Sequence, residues 1–146
     1  MSIPTRTIDV LLVEDDAGDE LITREAFEQN KIANTLHVAR DGQEGLDFLY
    51  RRGGHELAPR PDLVLLDLNL PKYDGRQLLE QIKSDPELCD IPVVVLTTSS
   101  AEEDILRSYK LHANAYVTKP VDLDQFMSAV RQIDEFFVQV VRLPGR

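Results

Sequence analysis

PDLVLLDLNLPKYDG occupies residues 61–75. Positions 62–67 read as one strand, in which Leu63, Val64, Leu65 and Leu66 form an unbroken apolar run. A strand that is apolar on both faces is covered on both faces, which marks a central parallel strand and not a half-wet antiparallel one. The run ends on a carboxylate, Asp67, followed by Asn69, Pro71 and an Asp74-Gly75 turn. Open α/β sheets carry their ligand chemistry just beyond the carboxyl ends of such strands. An acid delivered there by an apolar strand is a candidate functional group.

The rest of the chain repeats the pattern. Val10 to Val13 is a second apolar strand and runs into Glu14, Asp15 and Asp16. A helical spacing of Leu21, Ile22, Ala26 and Phe27 follows from Ala17 and stops near Asn30. Leu36 to Ala39 reads as a short strand. Asp41 and Glu44 form a helix start ahead of Leu46, Leu49 and Tyr50. Residues 51–61, RRGGHELAPRP, form a loop. Asp74 with Gln77 opens a helix through Lys83, PVVVL at 92–96 is another buried strand, and Ser100 with Glu103 opens the next helix. A last short strand spans 115–118, and Asp122 with Gln125 caps a long final helix. Five strands alternating with five helices predict an α/β fold, a five-stranded parallel sheet with helices on both faces and right-handed crossovers.

Length and charge narrow the function. At 146 residues the chain fits a single domain, 1–146, with a core at about 8–135 and an extension at 136–146. A net charge of −10 argues against nucleic acid and against an anionic membrane surface. No apolar run approaches the roughly 20 residues of a membrane span, and the start lacks a signal-peptide core. Cys89 is the sole cysteine, so no disulfide framework or thiolate metal site is expected. The expected setting is cytoplasmic.

In a parallel sheet the carboxyl ends of all strands share one edge. Here they deliver Glu14 and Asp15, Asp67, Thr97 and Thr98, and Lys119. Clustered carboxylates repel one another, and a single ammonium leaves the edge negative. A hard divalent cation with oxygen ligands closes that imbalance, and Mg²⁺ suits a half-open site of one or two carboxylates plus waters. Acids, a lysine and a hydroxyl around Mg²⁺ make a phosphoryl-transfer site, and aspartate is a covalent acceptor in such chemistry. Asp16 and Asp19 read as helix-capping or surface acids.

These residues carry a family resemblance. VEDD at 13–16, LLDLNLPKYDG at 65–75, PVVVLTT at 92–98 and YVTKP at 116–120 stand in order and correctly spaced. The chain resembles, from about residue 9 to 135, the receiver domains of two-component response regulators of the CheY type, and the resemblance implies their flavodoxin-like fold, a doubly wound sheet of order 2-1-3-4-5. The resemblance implies that Asp67 is the phosphoacceptor, and that Asp15 ligates Mg²⁺ directly while Glu14 acts mainly through water. It implies a metal contact from the backbone carbonyl at Asn69, a phosphoryl hydrogen bond from Thr97, and a phosphoryl ion pair from Lys119. Tyr116 matches the switch aromatic that moves inward with Thr97, and the Lys119-Pro120 bond matches a cis peptide. Thr98 stands where the family often has Ala, and loop 51–61 is longer than in its shortest members.

The implied protein is a stand-alone response regulator, not an enzyme beyond its own phosphotransfer and dephosphorylation. A sensor histidine kinase supplies the phosphoryl group, and the signal passes on through protein contacts. The VVRLP tail and the RRGGHEL loop also resemble single-domain regulators that pair with bacterial phytochromes. Leu123, Phe126, Met127, Val130, Ile133 and Phe137 form one apolar helical stripe, and Phe136, Val138, Val140 and Val141 add apolar surface on other sides. That excess predicts a homodimer through the last helix and tail. The rival readings are a pseudo-receiver that binds partners unphosphorylated and an aspartate-nucleophile phosphohydrolase. The hydrolase usually has a second Asp where Asn69 stands.

Overall fold

The computed structural model of the protein describes residues 7–29, 34–68, 75–97, 113, 115–119, 124, 125 and 128. Its elements run β1 (Ile8–Val13), α1 (Ala17–Gln29), β2 (Asn34–Ala39), α2 (Gly42–Leu49), β3 (Leu63–Asp67), α3 (Gly75–Ser84), β4 (Val93–Thr97) and β5 (Ala115–Thr118). All pairings are parallel, in the order β2-β1-β3-β4-β5. This is the parallel sheet that the apolar runs predict, in the order that the resemblance implies.

Every residue of β3 and β4 is buried, as central strands covered on two faces require. Strand alternation sorts them. Leu11, Val13, Val64, Leu66, Val93 and Val95 join Leu46, Phe48 and Leu49 of α2 and Leu78, Leu79 and Ile82 of α3 in one core cluster. Val10, Leu12, Leu63, Leu65, Val94 and Leu96 alternate with them and are equally buried, as are Ala26 and Phe27 of α1.

Backbone pairing, which side-chain patterns do not display, moves some strand ends. β1 and β2 each start two residues earlier than their apolar runs, because the ladder pairs Ile8 with Asn34 and Asp9 with Thr35. β3 starts one residue later, although Asp62 stays tied to β1: its N–H donates to Asp9 O at 2.7 Å and its carboxylate accepts the backbone N–H of Asp9 at 2.8 Å. At α2 the cap is as expected: Asp41 Oδ1 accepts from Glu44 N at 2.8 Å. Glu44 reaches back one residue further than a capping box does, taking the N–H of Arg40 at 2.8 Å. The expected caps Asp74, Ser100 and Asp122, the helix after Ser100, and the tail from 129 onward lie outside the described residues. Asp124, Gln125 and Ser128 are helical and exposed. Among the described residues no helix is long and apolar enough to cross a membrane.

Two backbone positions shape the ends of the elements. α2 stops in a Schellman arrangement, with Arg52 N bonded to Asp47 O at 2.9 Å and Arg51 N to Phe48 O at 3.2 Å. Its left-handed position, φ 56°, is filled by Arg51 where glycine is the usual residue. Gly75 opens α3 hard against the end of β3. A Cβ there would lie 2.7 Å from the carbonyl oxygens of Asp67 and Leu68. Gly75→Ala is therefore expected to lower the unfolding free energy by about 1–3 kcal/mol through overpacking. Arg51→Gly relieves the left-handed strain and is expected to raise it by about 1 kcal/mol. Urea denaturation of both variants measures the two opposite shifts.

Candidate functional site

Strand register builds the rim. The ladders pair Val13 with Leu66, Asp67 with Leu96, and Thr97 with Thr118. The residues at or just past those pairs are Glu14, Asp67, Thr97 and Lys119, which therefore emerge side by side at the carboxyl edge. The backbone stays tied beyond the strand ends. Glu14 N donates to Ala39 O at 2.9 Å, Leu68 N to Leu96 O at 3.1 Å, and Lys119 N to Thr97 O at 2.7 Å. Side chains mounted on such a rim are held by the sheet and not by a mobile loop.

Three acids converge there. Glu14 is fully buried, Asp67 is 2% exposed, and Asp15 is exposed, yet each offers an oxygen within 4.8 Å of the others'. The ammonium of Lys119 lies among the carboxylates, 3.0 Å from Asp67 Oδ2, 3.2 Å from Glu14 Oε2 and 2.7 Å from Asp19 Oδ2. Burial alone would lower the Lys119 pKa, but hydrogen bonds to Asp19, Asp67 and Glu14 outweigh it and hold the pKa up. Lys119 is therefore a fixed cation.

Glu14 is the strained member of the group. Burial, and next the neighbouring Asp67 carboxyl, push its pKa up to about 8, against the pull of Lys119. Its Oε1 is buried and lies 3.0 Å from the Lys119 ammonium, close enough to pair, but the angle leaves it without a hydrogen bond. A buried carboxylate oxygen lacking a donor, beside two more acid oxygens, fits a divalent cation with oxygen ligands. One ammonium does not neutralise this rim, and Asp15 leaves it open to solvent.

The remaining sequence-derived positions sort as follows. Thr97 is 2% exposed at the end of β4, on the same rim. Tyr116, on β5, is partly buried against the α2/α3 core cluster, and its hydroxyl accepts from Ala113 N at 3.2 Å. Asn69, Thr98 and Pro120 lie outside the described residues, and with Pro120 the Lys119-Pro120 peptide. Asp16 does cap α1, accepting from Gly18 N at 3.4 Å and Asp19 N at 3.2 Å. Asp19 departs from the surface role expected of it: it makes the shortest contact to Lys119. Its position in the first turn of α1, one helical turn past Asp15, was the signal available in the sequence. An acid there carries the same helix-dipole explanation as any other.

Comparison with known proteins agrees with this geometry. The model of the response regulator receiver domain matches residues 10–131. Response regulator Rcp1 of Synechocystis sp. is 46% identical over 136 residues, covering 93% of this chain and 92% of Rcp1. The crystal structure of its Mn²⁺-bound form superposes with a TM-score of 0.74 at 45% identity, over 94% of this chain and 99% of the other. The phosphorylated cyanobacterial phytochrome response regulator RcpA superposes at 0.75 with 43% identity, over 97% and 100%.

A divalent cation taken up by Glu14, Asp15 and Asp67 would stabilise the fold that assembles them. Titrating Mg²⁺ into metal-stripped protein is expected to raise the melting temperature with the logarithm of its concentration, by the equivalent of about 2.7 kcal/mol at a hundredfold excess over Kd. Asp15→Asn is expected to lose most of that shift while melting normally in EDTA, because Asp15 is exposed. A melting curve indifferent to Mg²⁺ contradicts the cation site.

Proposed function

Because this chain belongs to the response regulator receiver family, we propose that Asp67 accepts a phosphoryl group from the phosphohistidine of a sensor kinase, with Mg²⁺ as the bound cation. Receiver domains bind divalent metal and work with histidine kinases, and the relatives of this chain signal and do not serve as catalysts for other substrates. The observation that carries the reading is the Lys119 ammonium 3.0 Å from Asp67 Oδ2, at a rim where Glu14 and Asp15 supply further carboxylate oxygens.

Each residue has a role in this proposal. An Asp67 oxygen forms a bond to phosphorus as the bond to the imidazole nitrogen breaks, and the imidazole keeps the electron pair and takes up a proton. Glu14, Asp15 and Asp67 would hold the cation, joined by the backbone carbonyl of Asn69 that the family resemblance implies. When bound, Mg²⁺ neutralises the carboxylates and the charge on the transferring oxygens. Lys119 pairs with one phosphoryl oxygen, and the Thr97 hydroxyl donates to another. Burial of Asp67 and Glu14 keeps these charge contacts in a low-dielectric edge, where they are stronger than in water.

Output then follows from Thr97 and Tyr116. Drawing the Thr97 hydroxyl toward the phosphoryl group vacates space near β4, and Tyr116 swings inward from its partly buried position. The face proposed to change is the one formed by the fourth helix, β5 and the last helix. That face is the proposed contact for downstream proteins, and the apolar tail is the proposed seam of a homodimer. The likeness to RcpA, a cyanobacterial phytochrome response regulator, supports a phytochrome-type kinase as the donor.

Two measurements test this. Incubation with acetyl phosphate and Mg²⁺ is expected to add a single hydroxylamine-labile phosphoryl group, seen by intact-mass spectrometry and lost in EDTA. Asp67→Asn is expected to take none, and an equal adduct on that variant sinks the assignment. Sedimentation velocity across a concentration series is expected to show a dimer, weakened when Phe136 and Val140 are both changed to Ser. A monomer at tens of micromolar removes the dimer from the proposal.

A further inference from the structure

The phosphoryl-transfer reading leaves the shortest ion pair at the rim without a role. Lys119 has three N–H donors, and each meets a different carboxylate: Asp19 at 2.7 Å, Asp67 at 3.0 Å and Glu14 at 3.2 Å. Asp67 and Glu14 belong to the trio of acids whose oxygens converge on one cation position, and Asp19 does not. It is also the most exposed of the three, at 27% of its side chain against 4% and 0%.

The simple account of Asp19 is an acid favoured by the α1 dipole. Two observations go beyond it. The N–H groups at this helix start are served by Asp16, whose carboxylate accepts from Gly18 and from Asp19 itself. The Asp19 carbonyl is fixed as well, accepting from the buried Thr23 hydroxyl at 3.0 Å. With its backbone pinned on both sides, Asp19 sends its carboxylate across to the end of β5 and not to its own helix.

A cation taken up by Glu14, Asp15 and Asp67 changes the forces on Lys119. Two of its three carboxylates become shared with a like charge that repels the ammonium. Asp19 is the acid that stays with it. We infer that Asp19 is a positioning residue that tethers the Lys119 ammonium at the rim when the cation binds, keeping its other two N–H donors directed toward Asp67. This rests on Asp67 being the phosphoacceptor. No bond forms or breaks at Asp19, which acts through Lys119 alone.

A double-mutant cycle on the full chain tests it, using Asp19→Asn, Lys119→Met and the combined variant, each shown to be folded by circular dichroism. The readouts are the rate of acyl-phosphate formation from acetyl phosphate at saturating Mg²⁺, and Mg²⁺ affinity by calorimetry. With Lys119 present, Asp19→Asn is expected to slow phosphorylation about tenfold and weaken Mg²⁺ about threefold, as coupled neighbours do. With Met at position 119 the same change is expected to alter the rate by less than about twofold, and Asp19→Glu is expected to restore most of the rate when Lys119 is present. Equal effects in the two backgrounds would show a general charge effect and overturn the tether, and so would no effect beside Lys119. If wild type forms no acyl phosphate, the phosphoacceptor reading fails, and the coupling seen in Mg²⁺ affinity alone decides the role of Asp19.

Discussion

One ammonium faces a cluster of carboxylates at the edge of a sheet whose central strands are fully buried. Charge pairs 4 Å apart near a protein surface interact by roughly 4 kcal/mol, so repulsion among the acids is as large as the attraction of each to Lys119. Lys119 contacts three of them and neutralises one equivalent. Glu14 shows the strain most: burial, and next the Asp67 carboxyl, raises its pKa, and its Oε1 has no hydrogen-bond donor. A folded state that maintains this imbalance is one prepared for a cation and for incoming phosphoryl oxygens, because stability alone would favour an apolar or fully paired edge.

The rest of the fold holds that edge in place. Parallel pairing with an unbroken register brings the ends of β1, β3, β4 and β5 into one line, and backbone bonds continue the ladder one residue past the ends of β1, β3 and β5. The apolar faces of α2 and α3 lock the strands from one side, through Leu46, Leu78 and Ile82 among others. At Gly75 the chain after β3 returns so closely that only hydrogen fits against the carbonyls of Asp67 and Leu68. The absence of a side chain at Gly75 is thus part of how Asp67 is presented. A second acid-arginine pairing flanks the site: Glu20 of α1 binds Arg24 at 2.9 Å and Arg40, just after β2, at 2.6 Å, joining the helix that carries Asp19 to the end of the edge strand.

Much of this was legible in the residues. Leu63 to Leu66 and Val93 to Leu96 are apolar without alternation, and only a two-sided core accepts such strands, so the sheet type and the candidate acids at its end follow from local pattern. The strand ends were less legible, because Ile8, Asp9, Asn34 and Thr35 enter the ladder through backbone bonds that their side chains do not advertise. Asp62 looked like strand and proved to be a side-chain acceptor for Asp9.

The sequence by itself determined the fold class, the order of the strands and which residue types meet at the carboxyl edge, because those depend on hydrophobic period and on family motifs with fixed spacing. The tertiary structure alone decided how the charges are shared. That Lys119 divides its donors among Glu14, Asp67 and Asp19, residues 105, 52 and 100 positions away, is a contact between distant segments. No local pattern separates an Asp19 that reaches across the rim from one that faces water, since both satisfy the first turn of a helix equally well. Only the closing of the sheet, which sets Lys119 beside α1, makes the difference.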